Sequence, residues 1–225
     1  MRTINSIIFD LDSTLVTIEG LDWLASKKKI ETRVARLTKL SMEGKLDMNE
    51  AMRAKMALLS PNKRDTISLG EKYCDSLVPG VLSVIDTFHQ LGKEVWILTG
   101  NFRPAVEIVA KIIGIPTKRI IANTIYFDKN GNYKGFDAGS LLAKNGGKAK
   151  IIQKLCKTRH RIAYIGDGIV DLEVQEIVDV FVGFGGAVTR DRVKNESQYF
   201  ISEMNMLPLL DIVLTKNEKS RVSTL

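Results

Sequence analysis

The sequence predicts an α/β fold: a doubly wound, mostly parallel sheet, with a small helical cap inserted after the first strand and a β-hairpin after the third. Three observations carry this. Short apolar runs of strand character alternate with stretches of helical period along most of the 225 residues. Residues 19 to 76 break that rhythm, showing helical patterns and no strand. Further on, an Asn-Gly pair separates two short runs, as a hairpin turn does.

In chain order, Ser6 to Asp10 is the first strand, a run of buried character ending in acid. Ile30, Val34 and Leu37, then Met48, Met52, Met56 and Leu59, mark helices of the insertion. Val81, Ile85 and Phe88 repeat at helical spacing after Pro79-Gly80, and Gly92 closes that helix. EVWILT (94–99) reads as a buried strand, followed by a helix that Pro104 opens and Gly114 stops. RIIAN (119–123) is a short strand, and IYFDKNGNYKGF (125–136) is the hairpin, turning at Asn130-Gly131. A helix starts near Lys148 and carries Ile151, Ile152 and Leu155. RIAYIGD (161–167) is a strand, a helix follows, and DVFVGF (179–184) is another strand. Leu207, Leu210 and Leu214 suggest a closing helix. The implied organisation is a core of 1–18 and 77–215, a cap of 19–76, and a frayed tail at 216–225.

Composition is ordinary for a soluble globular protein, with 44% hydrophobic and 26% charged residues. No apolar stretch nears the ~20 residues that a membrane span requires. The N-terminus runs straight into a core strand, which leaves no room for a signal peptide. Cys74 and Cys156 lack C-x-x-C spacing, which fits a reducing compartment, so a cytoplasmic location is expected. The net charge of +7 is diffuse. Between Glu19 and Asp75 twelve Lys/Arg face nine Asp/Glu, and no aromatics interleave the run Lys27-Lys28-Lys29 as base stacking needs. Nucleic acid is therefore not the expected partner, while an anionic small molecule suits a mild positive field.

The stretch IIFDLDSTL (7–15) poses a chemical problem. In an extended chain, Asp10 and Asp12 share a face. At ~6 Å and an effective dielectric of ~20, two ionised carboxylates repel by about 3 kcal/mol. A proton, a cation or a splaying turn must offset that. Three other segments bring polar residues to strand ends or helix starts: WILTGNF with Thr99 and Gly100, KNGGKAK with Lys148, and IGDGIVD with Asp167 and Asp171. Each alone has a bland reading as a turn, a helix cap or a surface lysine. Ligands of open parallel sheets bind where the strands end, so four such segments in order point to one site. Other enzyme classes fit poorly. GGKAK lacks a P-loop's first glycine and hydroxyl, having Leu142 and Ala149 there. VGFGGAV has Val188 where a dinucleotide fingerprint needs glycine. His89 and His160 are the only histidines, and there is no G-x-S-x-G.

These motifs resemble those of the haloacid dehalogenase-like phosphatases, D-x-D-x-T, a Ser/Thr after the second strand, a Lys and a paired-Asp G-D-x-x-x-D. More narrowly, FDLDSTL, Glu19-Gly20, GNFRPAVE, NGNYKGF, GGKAK, IGDGIVD and VGFGGAV resemble the phosphoserine phosphatase family in order and spacing, over residues 5 to 212. The resemblance implies the haloacid dehalogenase-like fold and hydrolysis of a small phosphorylated metabolite, O-phospho-L-serine above all, through an aspartyl-phosphate. It implies Asp10 as nucleophile and Asp12 as general acid and base. Thr99, Gly100 and Lys148 would hold the phosphate. Mg²⁺ would sit on Asp10, Asp167 and the Asp12 backbone carbonyl, with Asp171 as an outer ligand or orienter. Such a cation also resolves the opening repulsion.

Substrate choice falls to the cap. Glu19 would face the substrate's ammonium group. Met48, Met52, Lys55 and Leu59 lie within about 60° on one helix face, so Lys55 sits inside an apolar stripe while Arg53 points away. Lys55 then either snorkels past methionines or reaches the site. It replaces the family's carboxylate-gripping arginine, and the two are not interchangeable. Asn101 and Val170, also expected against the substrate, stand where a glycine and a polar residue are usual, and Ala187 replaces an asparagine. These departures keep open the same chemistry on another small phosphorylated metabolite. A basic, non-catalytic binding protein is the alternative from another class. The sequence does not speak to oligomeric state.

Overall fold

A computed structural model describes residues 3–42, 45–157 and 161–222. Among them, six strands form one sheet: β1 (Ser6–Phe9), β2 (Glu94–Phe102), β3 (Ile120–Asn123), β6 (Ile162–Gly166), β7 (Val180–Phe184) and β8 (Tyr199–Ile201). A separate antiparallel hairpin pairs β4 (Ile125–Phe127) with β5 (Tyr133–Phe136). The sheet order is β3-β2-β1-β6-β7-β8 and every pairing in it is parallel. The chain thus winds outward one way from β1 and then the other way from β6, and the topological switch falls beside β1.

Alternation along each strand splits the core into two layers. Ile7, Phe9, Val95, Ile97, Ala163, Ile165, Val180 and Val182 face one layer, with Val106 and Val109 of α6 (Arg103–Ile112) above them. Ile8, Trp96, Leu98, Ile162, Tyr164 and Phe181 face the other, against Ile152 of α7 (Gly147–Cys156). With both faces covered, β1, β6 and β7 are buried from end to end. This is why they read as continuous apolar runs rather than alternating ones.

Between β1 and β2 the chain forms α1 (Gly20–Lys27), α2 (Glu31–Met42), α3 (Met48–Leu59) and α4 (Lys63–Cys74), then α5 (Val81–Gln90). Local signals delimit them. The Asp47 side chain accepts from Asn49 and Glu50 N–H groups, and Asn62 and Asp65 form a reciprocal capping box. The chain leaves for these helices and returns through one narrow neck, where Val16 bridges Leu77 and Val78 N donates to Leu15 O at 2.9 Å. The last inserted helix is nonetheless seated on the sheet's own layer. Gly70 of α4 lies so close to α6 that an added Cβ would sit 2.6 Å from the Ile108 side chain.

Three features differ from the sequence expectation. Strand β2 continues past Thr99 to Phe102, because Asn123 donates to Gly100 O at 2.7 Å and Phe102 pairs with Asn123 after a register shift. β8 and the short α9 (Asp191–Glu196) were not anticipated. After α10 (Pro208–Val213), residues 216–222, expected to fray, form α11 (Lys216–Val222), held by buried Glu218 against buried Lys93. Residues 223–225 of that expected tail lie outside the described residues, as does His160.

Candidate active site

The sheet's carboxyl edge at the switch point opens into a cleft of about 670 Å³, roofed by the inserted helices. Asp10 follows the last residue of β1, and its N–H donates to Ile165 O of β6 at 2.9 Å, so it is clamped between β2 and β6. Asp167 follows the last residue of β6. Lys148 lies in the first turn of α7, and Asp171 in α8 (Ile169–Leu172). All four are buried. Lys148 Nζ bridges two acids, 2.9 Å from Asp10 Oδ1 and 2.6 Å from Asp171 Oδ1. Asp171 is fully occupied: Oδ1 also accepts from Tyr164 OH at 2.6 Å, and Oδ2 from Gly168 N–H at 2.9 Å. Its geometry orients Lys148 toward Asp10. Gly166 makes this approach feasible, since a Cβ there would lie 2.4 Å from Asp171 Cγ.

Asp167 meets a second cation. Arg190 donates from Nε and Nη2 to Asp167 Oδ2 at 3.1 and 3.0 Å, and from Nη2 to Glu19 Oε1 at 3.1 Å. Glu19 also accepts from Ser13 Oγ at 2.9 Å. Ser13 has φ of 53°, the left-handed region, as the chain doubles back beyond Asp12. Asp12 accepts from Tyr73 OH at Oδ1 (2.6 Å) and from Asn101 Nδ2 at Oδ2 (3.0 Å).

Electrostatics follow from burial. Asp10 is raised well above the usual carboxylate range, first by burial and then by Asp171 and Asp167, with Lys148 opposing. Burial, Asp171 and Glu19 lift Asp167 to about 7 against Arg190 and Lys148. Burial and Glu19 lift Asp12 to about 7 against its donors Tyr73, Asn101 and the Gly20 N–H. Burial disfavours the Lys148 ammonium, yet Asp10 and Asp171 hold its pKa well above that of an ordinary lysine. The acids therefore outweigh the cations. Asp10, Asp167 and Asp171 each bring a carboxylate oxygen within 4.8 Å of the others'. An all-oxygen, acid-rich set short of positive charge fits a hard divalent cation.

The remaining expected residues gather at the same cleft. Thr99, Gly100, Asn101, Glu19, Lys55 and Val170 all line it. Thr99 is buried and its Oγ1 accepts from Asn101 N–H at 3.1 Å. Lys55 projects into the cleft, where burial lowers its pKa and Asp22 and Glu19 oppose that, while Arg53 turns outward to Asn49. Of the methionine stripe, Met56 is core, whereas Met48 and Met52 line the cleft. Val170 is 37% exposed at the mouth. Within the cleft wall the Asn101 amide donates to Asp12 and Tyr73, and its side-chain carbonyl accepts from Phe102 N–H.

Sequence reasoning missed Tyr73, Tyr164 and Arg190. Tyr73 follows Thr66 and Leu69 at helical spacing, which signals burial but not what the hydroxyl meets. Arg190 pairs with groups 23 and 171 residues away, and no local pattern marks such a residue.

Comparison with known proteins bears on this geometry. Residues 4–174 match the family model described as haloacid dehalogenase-like hydrolase. The chain is similar to the phosphoserine phosphatase of Mus musculus, 35% identical over 201 residues covering 88% of this chain and 89% of that one. Its fold is similar to the crystal structure of a phosphoserine phosphohydrolase-like protein from Francisella tularensis, at 24% identity and a TM-score of 0.81, covering 94% of this chain and all of the other. It is also similar to a phospho-aspartyl intermediate analogue of phosphoserine phosphatase, at 23% identity and a TM-score of 0.76, covering 95% and 100%. At these identities the two solved structures speak to the fold.

Proposed function

The chain belongs to the phosphoserine phosphatase family of haloacid dehalogenase-like hydrolases, and on that premise we propose that it is a Mg²⁺-dependent phosphatase converting O-phospho-L-serine to L-serine and phosphate. The observation that carries the reading is the Asp10–Lys148–Asp171 chain at the sheet's switch point, with Asp167 beside it. Asp10 supplies the nucleophilic oxygen, and Lys148 screens the charge that would otherwise repel a phosphate dianion. The Thr99 hydroxyl and the Gly100 N–H hold phosphoryl oxygens in the transition state. Asp12 gives its proton to the departing serine oxygen and later takes one from the attacking water. Asp10, Asp167 and the Asp12 backbone carbonyl are the groups that would hold Mg²⁺, with Asp171 outside them. When bound, that ion supplies positive charge against the phosphoryl oxygens and lets the neighbouring acids ionise together.

Glu19 faces the substrate's ammonium and Lys55 its carboxylate. Residues 19–76 act as a cap over a core of 1–18 and 77–215. Val170 favours a second reading, the same chemistry on a different small phosphorylated metabolite, because its methyl groups offer nothing to a polar amino-acid backbone. Phosphate release across a panel of phosphomonoesters, with Mg²⁺ and with chelator, separates the two. The proposal expects O-phospho-L-serine to lead the panel, by kcat/KM, only when Mg²⁺ is present. A panel in which it is unexceptional supports the second reading, and no release from any ester contradicts both.

A further inference from the structure

Asp12 is gripped more thoroughly than its loop position requires. The Tyr73 hydroxyl, from the insertion's last helix, lies 2.6 Å from Oδ1, and Asn101 Nδ2, from β2, lies 3.0 Å from Oδ2. The same Asn101 nitrogen also donates to Tyr73 OH, so the two donors brace each other. Tyr73 is fully buried, and Asn101 is only 4% exposed. Gly20 is shaped around this brace: a Cβ there would fall 2.0 Å from Tyr73 OH and 2.5 Å from Asn101 Nδ2. Three segments distant in sequence thus meet at one carboxyl group, which lines the cleft.

We propose that Tyr73, braced by Asn101, is a positioning residue for proton transfer by Asp12, fixing the plane of its carboxyl group against the leaving oxygen and then against water. The inference rests on the phosphatase reading above. In the first half-reaction an Asp10 oxygen bonds to phosphorus, the ester P–O bond breaks, and the electron pair left on the alcohol oxygen takes the proton from Asp12. In the second, water bonds to phosphorus, its proton returns to Asp12, and the bond between phosphorus and Asp10 breaks. Serine is a poor leaving group and needs the proton in the first half, whereas p-nitrophenolate departs without it. The second half needs Asp12 whatever the ester was.

Tyr73→Phe keeps the packing and removes only the hydroxyl. Steady-state kcat for O-phospho-L-serine should fall about 10- to 100-fold, a portion of the full general acid–base effect, with KM within about threefold. With p-nitrophenyl phosphate, the pre-steady-state burst should keep its amplitude and stay within about threefold in rate, while the steady state after it slows. The surviving burst shows that the site has folded. Asn101→Ala should move the same quantities in the same direction. If burst and steady state fall together for both esters, or if neither changes in either variant, the positioning role is overturned. A wild-type protein that turns over neither ester instead removes the phosphatase reading itself.

Discussion

At the scale of single residues, the site is a balance of charge that the protein alone leaves incomplete. Lys148 and Arg190 face Asp10, Asp167, Asp171 and Glu19. Asp12 and Asp167 each sit at about 7, whereas an unfolded aspartate titrates near ~4. Between those values the folded state holds more protons, so its stability declines as pH rises. The contribution is complete below about pH 4 and is lost on approach to about pH 7. Thermal unfolding in chelator should show this decline, and Asp167→Asn should flatten it. Added Mg²⁺ should raise Tm more at pH 8 than at pH 5, because ligand stabilisation requires the ionised acids. A decline as steep in Asp167→Asn as in the wild type contradicts the assignment. Asp10, Asp167 and Lys148 were legible in the sequence because each sits at the end of a strand or the start of a helix, and Asp12 because it follows Asp10 by two residues. Tyr73 and Arg190 were not, because their partners come from segments that only the folded chain brings near.

At the scale of elements, legibility tracked burial. Strands β1, β6 and β7 are apolar along their whole length because helices cover both faces. β8 has three residues and leaves Tyr199 40% exposed, too short and too mixed a run to stand out. The polar sequence KNEKSRV gave no hint of α11 either, since that helix is held by ion pairs, Glu218 to Lys93 and Lys219 to Asp211, rather than by an apolar stripe. Lys93 Nζ, almost wholly buried, donates to Ile4 O at 2.7 Å and to Glu218, whose other oxygen accepts from Thr215 N–H at 2.8 Å. Removing one partner of a buried pair leaves an uncompensated charge. Glu218→Leu should therefore cost about 3 kcal/mol or more in urea unfolding, with hydrolysis unaffected below the transition. A loss under about 1 kcal/mol would mean the pair behaves as a surface contact.

At the scale of the whole molecule, function follows from winding order. Placing β1 between β2 and β6 brings their carboxyl ends together, so Asp10, Thr99 and Asp167 converge although nearly 160 residues separate the first from the last. The insertion after β1 then lowers Glu19 and Lys55 over that edge. The doubly wound class was readable from alternation alone, and so was the strand-free insertion. How closely α4 seats on α6 was not, because helical period shows which face is apolar but not what covers it. The proposed hydrolysis requires phosphate to pass through a bond to Asp10. Its most direct test is acid quenching during turnover of radiophosphorus-labelled O-phospho-L-serine, followed by peptide mapping. The label should appear on Asp10 at a rate sufficient to carry steady-state turnover, and be absent from Asp10→Asn, which should also be inactive. Steady hydrolysis by Asp10→Asn, or label on another residue, would contradict it.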